Sequence, residues 1–563
     1  MSLLKTQNRN KIFPGTKENL NFARYLGESA VRFPDKKAIV YSAAKSKEDT
    51  YLTMKELDQL SDRYACGLSE AGISKGTKTM LMAMPKNDFF PLAMALFKIG
   101  AVPVFVDPGM GMKRMLHCIR STGPEAFIGI PMAHVVRLLT PRVFKSLKSW
   151  VTIGHRWFWR GSTTLSMKKE IVSEFKMAEA AKNELAAIVF TTGSTGPAKG
   201  VEYTHGMLNG MIDQLVDNFN PGFDEVDLAT FPMYTLFDVS LGITAVFPDM
   251  HPAFPAKADP EKIVKAILDN NVTTMFASPA LLKNLTAYCN GKNIVLSSLR
   301  RVISGGAPIE PEVMEKVEKI IPEDAGFFST YGATEAAPIS AINSREVLKE
   351  TRFRTDAGEG TCIGEPFGGV DVKIITVSDD PCEELNEDWF VKPGTTGEVI
   401  VRGDIVSQSY FERPDENLVS KIQDGNDTWH RTGDLGWIDE KGRLWYCGRK
   451  KQRVTASGKD YFTTPCESLF NTHSAVFRSA LVGVDSGSEV IPVICIELCE
   501  ECKNYDKDIL IHELKTIAEG NDIVDGINIF LLHDSFPVDI RHNAKIMREK
   551  LSLWAGRTIK GDA

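Results

Sequence analysis

Along the chain, short apolar runs alternate with stretches whose apolar residues recur every three or four positions. Residues 19–72 carry the second pattern, as in Leu57, Leu60, Tyr64 and Leu68, which predicts a helix followed by the turn Lys75-Gly76-Thr77-Lys78. Residues 79–84 read as a buried strand, 88–99 as a helix, and 102–106 as another strand ending at Asp107-Pro108-Gly109. The alternation returns at the strand-like residues 126–130, 185–190 and 273–277, with the helix-like 260–270 between them. This βαβ rhythm predicts mostly parallel α/β layers. From Thr361 onward glycine-punctuated alternation takes over, at 370–375, 397–403 and 443–447, and predicts hairpins in a small antiparallel β subdomain. After Gly448-Arg449-Lys450-Lys451-Gln452-Arg453 the pattern restarts with strand-like 480–484 and 491–498 and a helix near 509–518, a small α+β unit. The expected domains are 1–450 and 451–563.

Length and composition refine this. A chain of 563 residues exceeds what one core usually supports. The net charge of −7, with 25% charged residues and no long basic block, argues against a nucleic-acid partner. The longest apolar stretch, residues 89–106, is broken by Lys98, Pro91 and Pro103, and the N-terminus has no signal-peptide apolar region, so we expect a cytoplasmic chain with no transmembrane segment. Ten scattered cysteines fit a reduced compartment, and Cys499-Glu-Glu-Cys502 has no second CxxC, so no structural metal is assigned. The aromatics Trp150, Trp157, Phe158 and Trp159 are read as packing rather than as a lid.

The chemistry centres on Thr191-Thr192-Gly193-Ser194-Thr195-Gly196-Pro197-Ala198-Lys199-Gly200, directly after a strand-like run. Glycines let backbone N–H groups approach an anion, hydroxyls add donors and Lys199 adds charge, so the loop suits a polyphosphate. Its spacing does not fit a Walker P-loop. Gly305-Gly306-Ala307-Pro308 ends a strand where a flat ring or a phosphate can approach the backbone closely. Thr330-Tyr331-Gly332-Ala333-Thr334-Glu335 offers a ring to stack on, a hydroxyl for phosphate and a carboxylate for Mg²⁺. Arg431-Thr432-Gly433-Asp434 reads as an exposed carboxylate on a tight turn, suited to ribose hydroxyls. Residues 231–238 read equally as core or as the wall of an apolar substrate pocket, and Lys545 sits on a loop tip.

Taken in order, these stretches resemble the adenylate-forming superfamily of acyl-CoA synthetases, adenylation domains and luciferases. The resemblance implies a large N-terminal domain of two α/β subdomains plus a β subdomain, and a C-terminal lid that rotates about a hinge near Lys451. It implies that Thr191–Lys199 hold the pyrophosphate end of ATP, that Gly305–Pro308 and Tyr331 flank adenine, and that Asp434 holds the ribose. By the same resemblance Thr334 contacts the α-phosphate, Glu335 binds Mg²⁺, Arg449 meets the ribose–phosphate region and Lys545 neutralises charge in adenylation. Residues 360–364, 463–467, 470–473 and 536–545 further resemble the β-lactone synthetases of bacterial long-chain olefin biosynthesis. Thr235 stands where many thioester-forming relatives carry histidine, and Asp-Ile-Arg-His-Asn-Ala-Lys replaces the usual Thr-x-x-Gly-Lys type of lid loop. The expected reaction is adenylation of a long-chain, β-hydroxylated fatty acid and intramolecular closure to a β-lactone. A fatty acyl-CoA ligase, the one reading that needs CoA, is the nearest alternative. A stand-alone enzyme loading a carrier protein and an inactive nucleotide-binding scaffold are further ones. A base for closure is not identified; His205, His473 and His542 qualify by chemistry alone. Association with other lipid-pathway enzymes fits a hydrophobic substrate.

Overall fold

The computed structural model describes residues 19–42, 48–85, 88–169, 174–191, 198–487, 489–538 and 546–561. Two large sheets dominate it. One runs in the order Ser162–Thr163, Ser149–Thr152, Ala126–Gly129, Lys78–Met82, Val102–Val106, Leu185–Thr191, Lys199–Thr204, parallel except for its last, antiparallel pair. The other has nine strands, with a parallel centre built from Lys37–Tyr41, Thr244–Phe247, Val226–Ala229, Thr274–Phe276, Arg301–Gly305 and Gly326–Ala333. Strands buried on both faces read as continuous apolar runs, as at Val102–Val106, Ala126–Gly129 and Leu185–Thr191; Ser149–Thr152, Val226–Ala229 and Thr244–Phe247 are strands that the sequence reading does not name.

The main core lies among the helices Met54–Glu70, Phe89–Ile99 and His205–Phe219 and both sheets. The helix Phe89–Ile99 is buried at every position, and its one charge, Lys98, meets Asp58 at 2.6 Å and Asp62 at 2.5 Å. A buried ammonium needs such partners. No helix of the described residues is long and apolar enough to cross a membrane, and all ten cysteines are free thiols.

An antiparallel sheet orders Thr361–Cys362, Leu444–Arg449, Asp427–Ile438, Gly397–Gly403 and Val370–Ile375, as the glycine-rich alternation predicts. Beyond it, Val476–Asp485, Val490–Leu498 and Ile529–Leu532 form a separate sheet, flanked by Thr463–Asn471, Lys507–Ala518 and Arg548–Lys560. The buried apolar clusters of this C-terminal unit contain no residue before Val454. A single 3-10 turn, Lys450–Gln452, joins it to the preceding strand.

Three expectations change. Residues 19–72 are not one helix: Arg24–Arg32 and Met54–Glu70 are helical, but Lys37–Tyr41 and Thr50–Thr53 are strands. Lys37–Tyr41 pairs in parallel with Thr244–Phe247, a partner about two hundred positions away that local periodicity does not reveal. The aromatics do not all pack. Trp159 is buried, whereas Trp157 is 54% and Phe158 is 79% exposed. Asp434 is not on an exposed turn: it lies inside the strand Asp427–Ile438 and is 2% exposed. Gly433, at φ +69°, bends this strand internally instead of ending it.

Candidate nucleotide site

Gly305–Pro308 and Thr330–Glu335 lie at the carboxyl ends of the parallel strands Arg301–Gly305 and Gly326–Ala333, the usual ligand edge of an open α/β sheet. Gly305 and Thr330 are register partners, so the turns that follow Arg301–Gly305 and Gly326–Ala333 leave side by side. A Cβ at Gly305 would stand 2.6 Å from Thr330 Oγ1, so only glycine allows this approach. Gly306, at φ +84° and open to solvent, gives a flat surface on which a ring could lie. Ala307 is half-buried and Pro308 exposed beside it.

Tyr331 crosses from this edge to the antiparallel sheet, its hydroxyl donating to Asp434 Oδ2 at 2.7 Å. Arg449, the register partner of Asp434, places Nε 3.0 Å from Oδ1. No N–H is aimed well enough at Oδ1 to count as a hydrogen bond, so this buried oxygen is an acceptor in want of a donor. Burial pushes the Asp434 carboxyl up, against the pull of Arg449 and Tyr331. The charge of Asp434 raises Arg449, and burial followed by Asp434 raises the Tyr331 phenol.

Thr334 and Glu335 form the turn between Gly326–Ala333 and Ala336–Asn343, with Gly332 exposed and Ala333 half-buried just before them. The Thr334 carbonyl accepts from Tyr203 Oη at 2.8 Å. Glu335 Oε1 accepts from Tyr410 Oη at 2.6 Å, and its carbonyl accepts from the Ser407 N–H at 2.8 Å. Tyr410 is a site residue that sequence reasoning missed. Two cations lie near its ring, Lys199 Nζ 5.0 Å and Lys421 Nζ 5.6 Å from its centroid. Lys421, also missed, is buried and bonded to the Ser407 carbonyl; burial brings its ammonium down to about 7, with Glu335 pulling the other way. Burial and then Glu335 push the Tyr410 phenol far up, so it remains a donor. A tyrosine and a lysine outside any glycine-rich run carry no motif signal.

The strands Leu185–Thr191 and Lys199–Thr204 hold the two ends of the glycine-rich loop, with Thr191 and Lys199 in register. Residues 192–197, which include Thr192, Gly193, Ser194, Thr195 and Gly196, lie outside the described residues, as do His542 and Lys545. Lys199 pairs with Glu416. His205 is buried with Nδ1 accepting the Phe22 N–H at 3.2 Å, and His473 bonds Glu513 at 3.0 Å, so both serve the fold. Behind Tyr203, a cavity of about 20 Å³ is walled by Phe22, Phe97, Leu208, Met233, Leu236 and Phe237. Residues 231–238 thus supply cavity wall and core together, while Phe231 itself is 47% exposed. Thr235, one of these residues, is fully buried, its hydroxyl without a hydrogen-bond partner.

The chain belongs to the AMP-binding enzyme family, whose model matches residues 26–411. Its fold is that of the amide bond synthetase McbA from Marinactinospora thermotolerans, with a TM-score of 0.76 and 21% identity over 95% of this chain and 99% of that one. In sequence it is 41% identical to the olefin beta-lactone synthetase of Stenotrophomonas maltophilia, over 96% of this chain and 99% of that protein. It is 40% identical to the olefin beta-lactone synthetase of Xanthomonas campestris pv. campestris, over 95% and 98% of the two chains.

Proposed function

We propose that this enzyme activates a long-chain β-hydroxy fatty acid with ATP, releasing pyrophosphate, and closes the acyl-AMP to a β-lactone with release of AMP. The observation that supports nucleotide binding is the buried Asp434 carboxylate: Tyr331 donates to its Oδ2, while Oδ1 is ion-paired with Arg449 yet lacks a well-aimed hydrogen bond. A ribose hydroxyl supplies the missing donor. Gly305–Pro308 and Tyr331 then receive adenine, Thr334 the α-phosphate, Arg449 the ribose–phosphate region, and residues 191–199 the pyrophosphate end. The identity of about two-fifths with two olefin beta-lactone synthetases supports the lactone step.

Glu335 fits Mg²⁺. One carboxylate oxygen is oriented by Tyr410, and no cluster of three metal-binding side chains occurs among the described residues. An ion here would complete its shell from phosphate oxygens and water, as Mg²⁺ commonly does. Bound with ATP, it would neutralise phosphate charge. The chain's own residues position the reactants: the acid's carboxylate attacks the α-phosphorus in line while Thr334 and Lys545 stabilise charge on the phosphate oxygens. In the second step the β-hydroxyl oxygen attacks the acyl carbonyl, the C–O bond to AMP breaks, and the hydroxyl proton leaves to base. High effective molarity favours this attack over an external acceptor. The alkyl chain is assigned to the cavity walled by Phe22, Leu236 and Phe237, which holds roughly one water-sized sphere, so its walls would have to part to admit a substrate. Residues 451–563 act as the lid, turning at the Lys450–Gln452 link.

Mass spectrometry of products from a long-chain β-hydroxy acid with ATP and Mg²⁺, with and without CoA, tests the reading. A lactone formed without CoA, from the hydroxy acid but not its unsubstituted counterpart, is expected. Acyl-CoA from both acids, formed only with CoA, would make the enzyme a ligase and refute the lactone step.

A further inference from the structure

The whole-chain charge of −7 hides a strong local imbalance. Residues 108–169 contain eleven lysines and arginines and a single acidic residue, Glu125. Of these cations only Lys148, 2.7 Å from Glu125, and Lys168, 2.7 Å from Asp88, have carboxylate partners among the described residues. Lys113, Arg114, Arg142, Lys145, Arg156 and Arg160 are all exposed.

The segment forms one edge of the seven-stranded sheet, through Ala126–Gly129, Ser149–Thr152 and Ser162–Thr163. Its helices Met112–Thr122 and Pro131–Leu139 pack inward through Met115, Ile119 and Ala133 around Phe127. Their outer surfaces are not purely polar. Met112 is 51%, Met132 60%, Leu138 42% and Leu139 76% exposed, and Trp157 and Phe158 stand out beyond them.

The aromatic loop is built to hold that posture. Trp159 is its foot: it stacks on His134 at 5.1 Å, and its indole N–H donates to Thr152 Oγ1 at 2.8 Å. Arg156 closes the loop by donating to the Gly161 carbonyl at 2.7 Å. With the foot buried, the two neighbouring aromatics have no core to enter, and Arg156 and Arg160 flank them.

We propose that this face docks on an anionic lipid surface. Exposed cations concentrated in this edge segment match negative headgroups, and their attraction is additive and salt-sensitive. Cations alone would equally serve a nucleic acid or an acidic protein. The outward Trp157 and Phe158 decide for lipid, because a bilayer places an apolar layer just beneath its anionic one, where aromatic rings settle. None of these residues belongs to the nucleotide site, so docking and chemistry are separable.

The test is flotation of the full chain with phosphatidylcholine vesicles, with and without phosphatidylglycerol. Binding to the phosphatidylglycerol vesicles alone, reversed by salt, is expected. The double substitution Trp157→Ser with Phe158→Ser should weaken it roughly tenfold or more, with pyrophosphate exchange on a short, soluble acid unchanged. Arg156→Gln with Arg160→Gln should weaken it separately and reduce its salt dependence. Failure to float with phosphatidylglycerol, or flotation indifferent to both double substitutions, would overturn the proposal. Preferential binding of polyuridylate, insensitive to loss of the aromatics, would also overturn it and make the face an acidic-polymer site.

Discussion

Replacing Tyr410 by phenylalanine removes one oxygen and little else. The ring stays near Lys199 and Lys421, 5.0 and 5.6 Å from their nitrogens, so the cation–π contacts survive. What goes is the 2.6 Å hydrogen bond to Glu335 Oε1. A hydrogen bond to a charged group contributes about 1.5–3 kcal/mol. If Glu335 must be held in that rotamer when charge builds on the phosphates, the whole amount falls on the barrier, and adenylation slows about 10- to 150-fold. If the rotamer matters only for recruiting the ion, the loss appears instead as a higher Mg²⁺ requirement with the maximal rate kept. Pyrophosphate exchange measured across a Mg²⁺ titration separates the two. Burial keeps the phenol protonated throughout the working pH range, so the defect should be flat with pH. Thermal unfolding of the same variant checks that the site is intact. Exchange within about twofold of the parent at every Mg²⁺ concentration, against the tenfold or more expected of a lost charge-assisted bond, would refute the view that Tyr410 positions Glu335.

Two further predictions concern stability. Arg431 holds the fully buried Glu398 through Nε at 3.0 Å and Nη2 at 2.5 Å, so Arg431→Met should cost about 3–5 kcal/mol and lower the thermal midpoint by several degrees; an unchanged midpoint would show that Lys450, 2.9 Å from the same oxygen, suffices. Burial brings the His134 and His205 imidazoles down to about 4, whereas unfolded histidine titrates near 6.5. Between those values the unfolded chain binds more protons, so stability should fall as pH drops from about 6.5 to 4, by up to about 3 kcal/mol for each ring; a melting temperature constant from pH 7 to 5 would contradict this.

Much of the fold was written in local patterns. Val102–Val106 is an unbroken apolar run because it is covered on both faces, and the Gly397–Gly403 hairpin strand is marked by its own glycines. What stayed hidden depended on distant partners. Lys37–Tyr41 is a strand because of Thr244–Phe247, and its five residues inside a helical pattern are too few to announce it. The motif glycine Gly433 reads as a turn because glycine usually marks one; the long strand instead continues through it and buries Asp434. Tyr410 acts on a carboxylate 75 positions earlier, a relation no spacing rule encodes. The motifs thus told which chemical groups the site contains, and the structure told which of them hold one another.

That distinction bears on how the site meets its substrate. Arg449 is paired with Asp434, Lys199 with Glu416, and Lys421 lies close enough to Glu335 to be raised by it. Each of these three cations therefore has a carboxylate of its own nearby. Unpaired, these charges would repel one another in a partly buried edge, and the fold would lose stability there. Paired, they are pre-positioned but partly neutralised, so in the proposed function a nucleotide would gain its affinity by exchange, taking over cations from carboxylates and giving ribose donors to Asp434. The three sheets supply the partners separately: Lys199 from one, Glu335 and Tyr331 from another, Asp434 and Arg449 from the third. No single subdomain holds a complete pair set for the ligand, which is why the site exists only where all three meet.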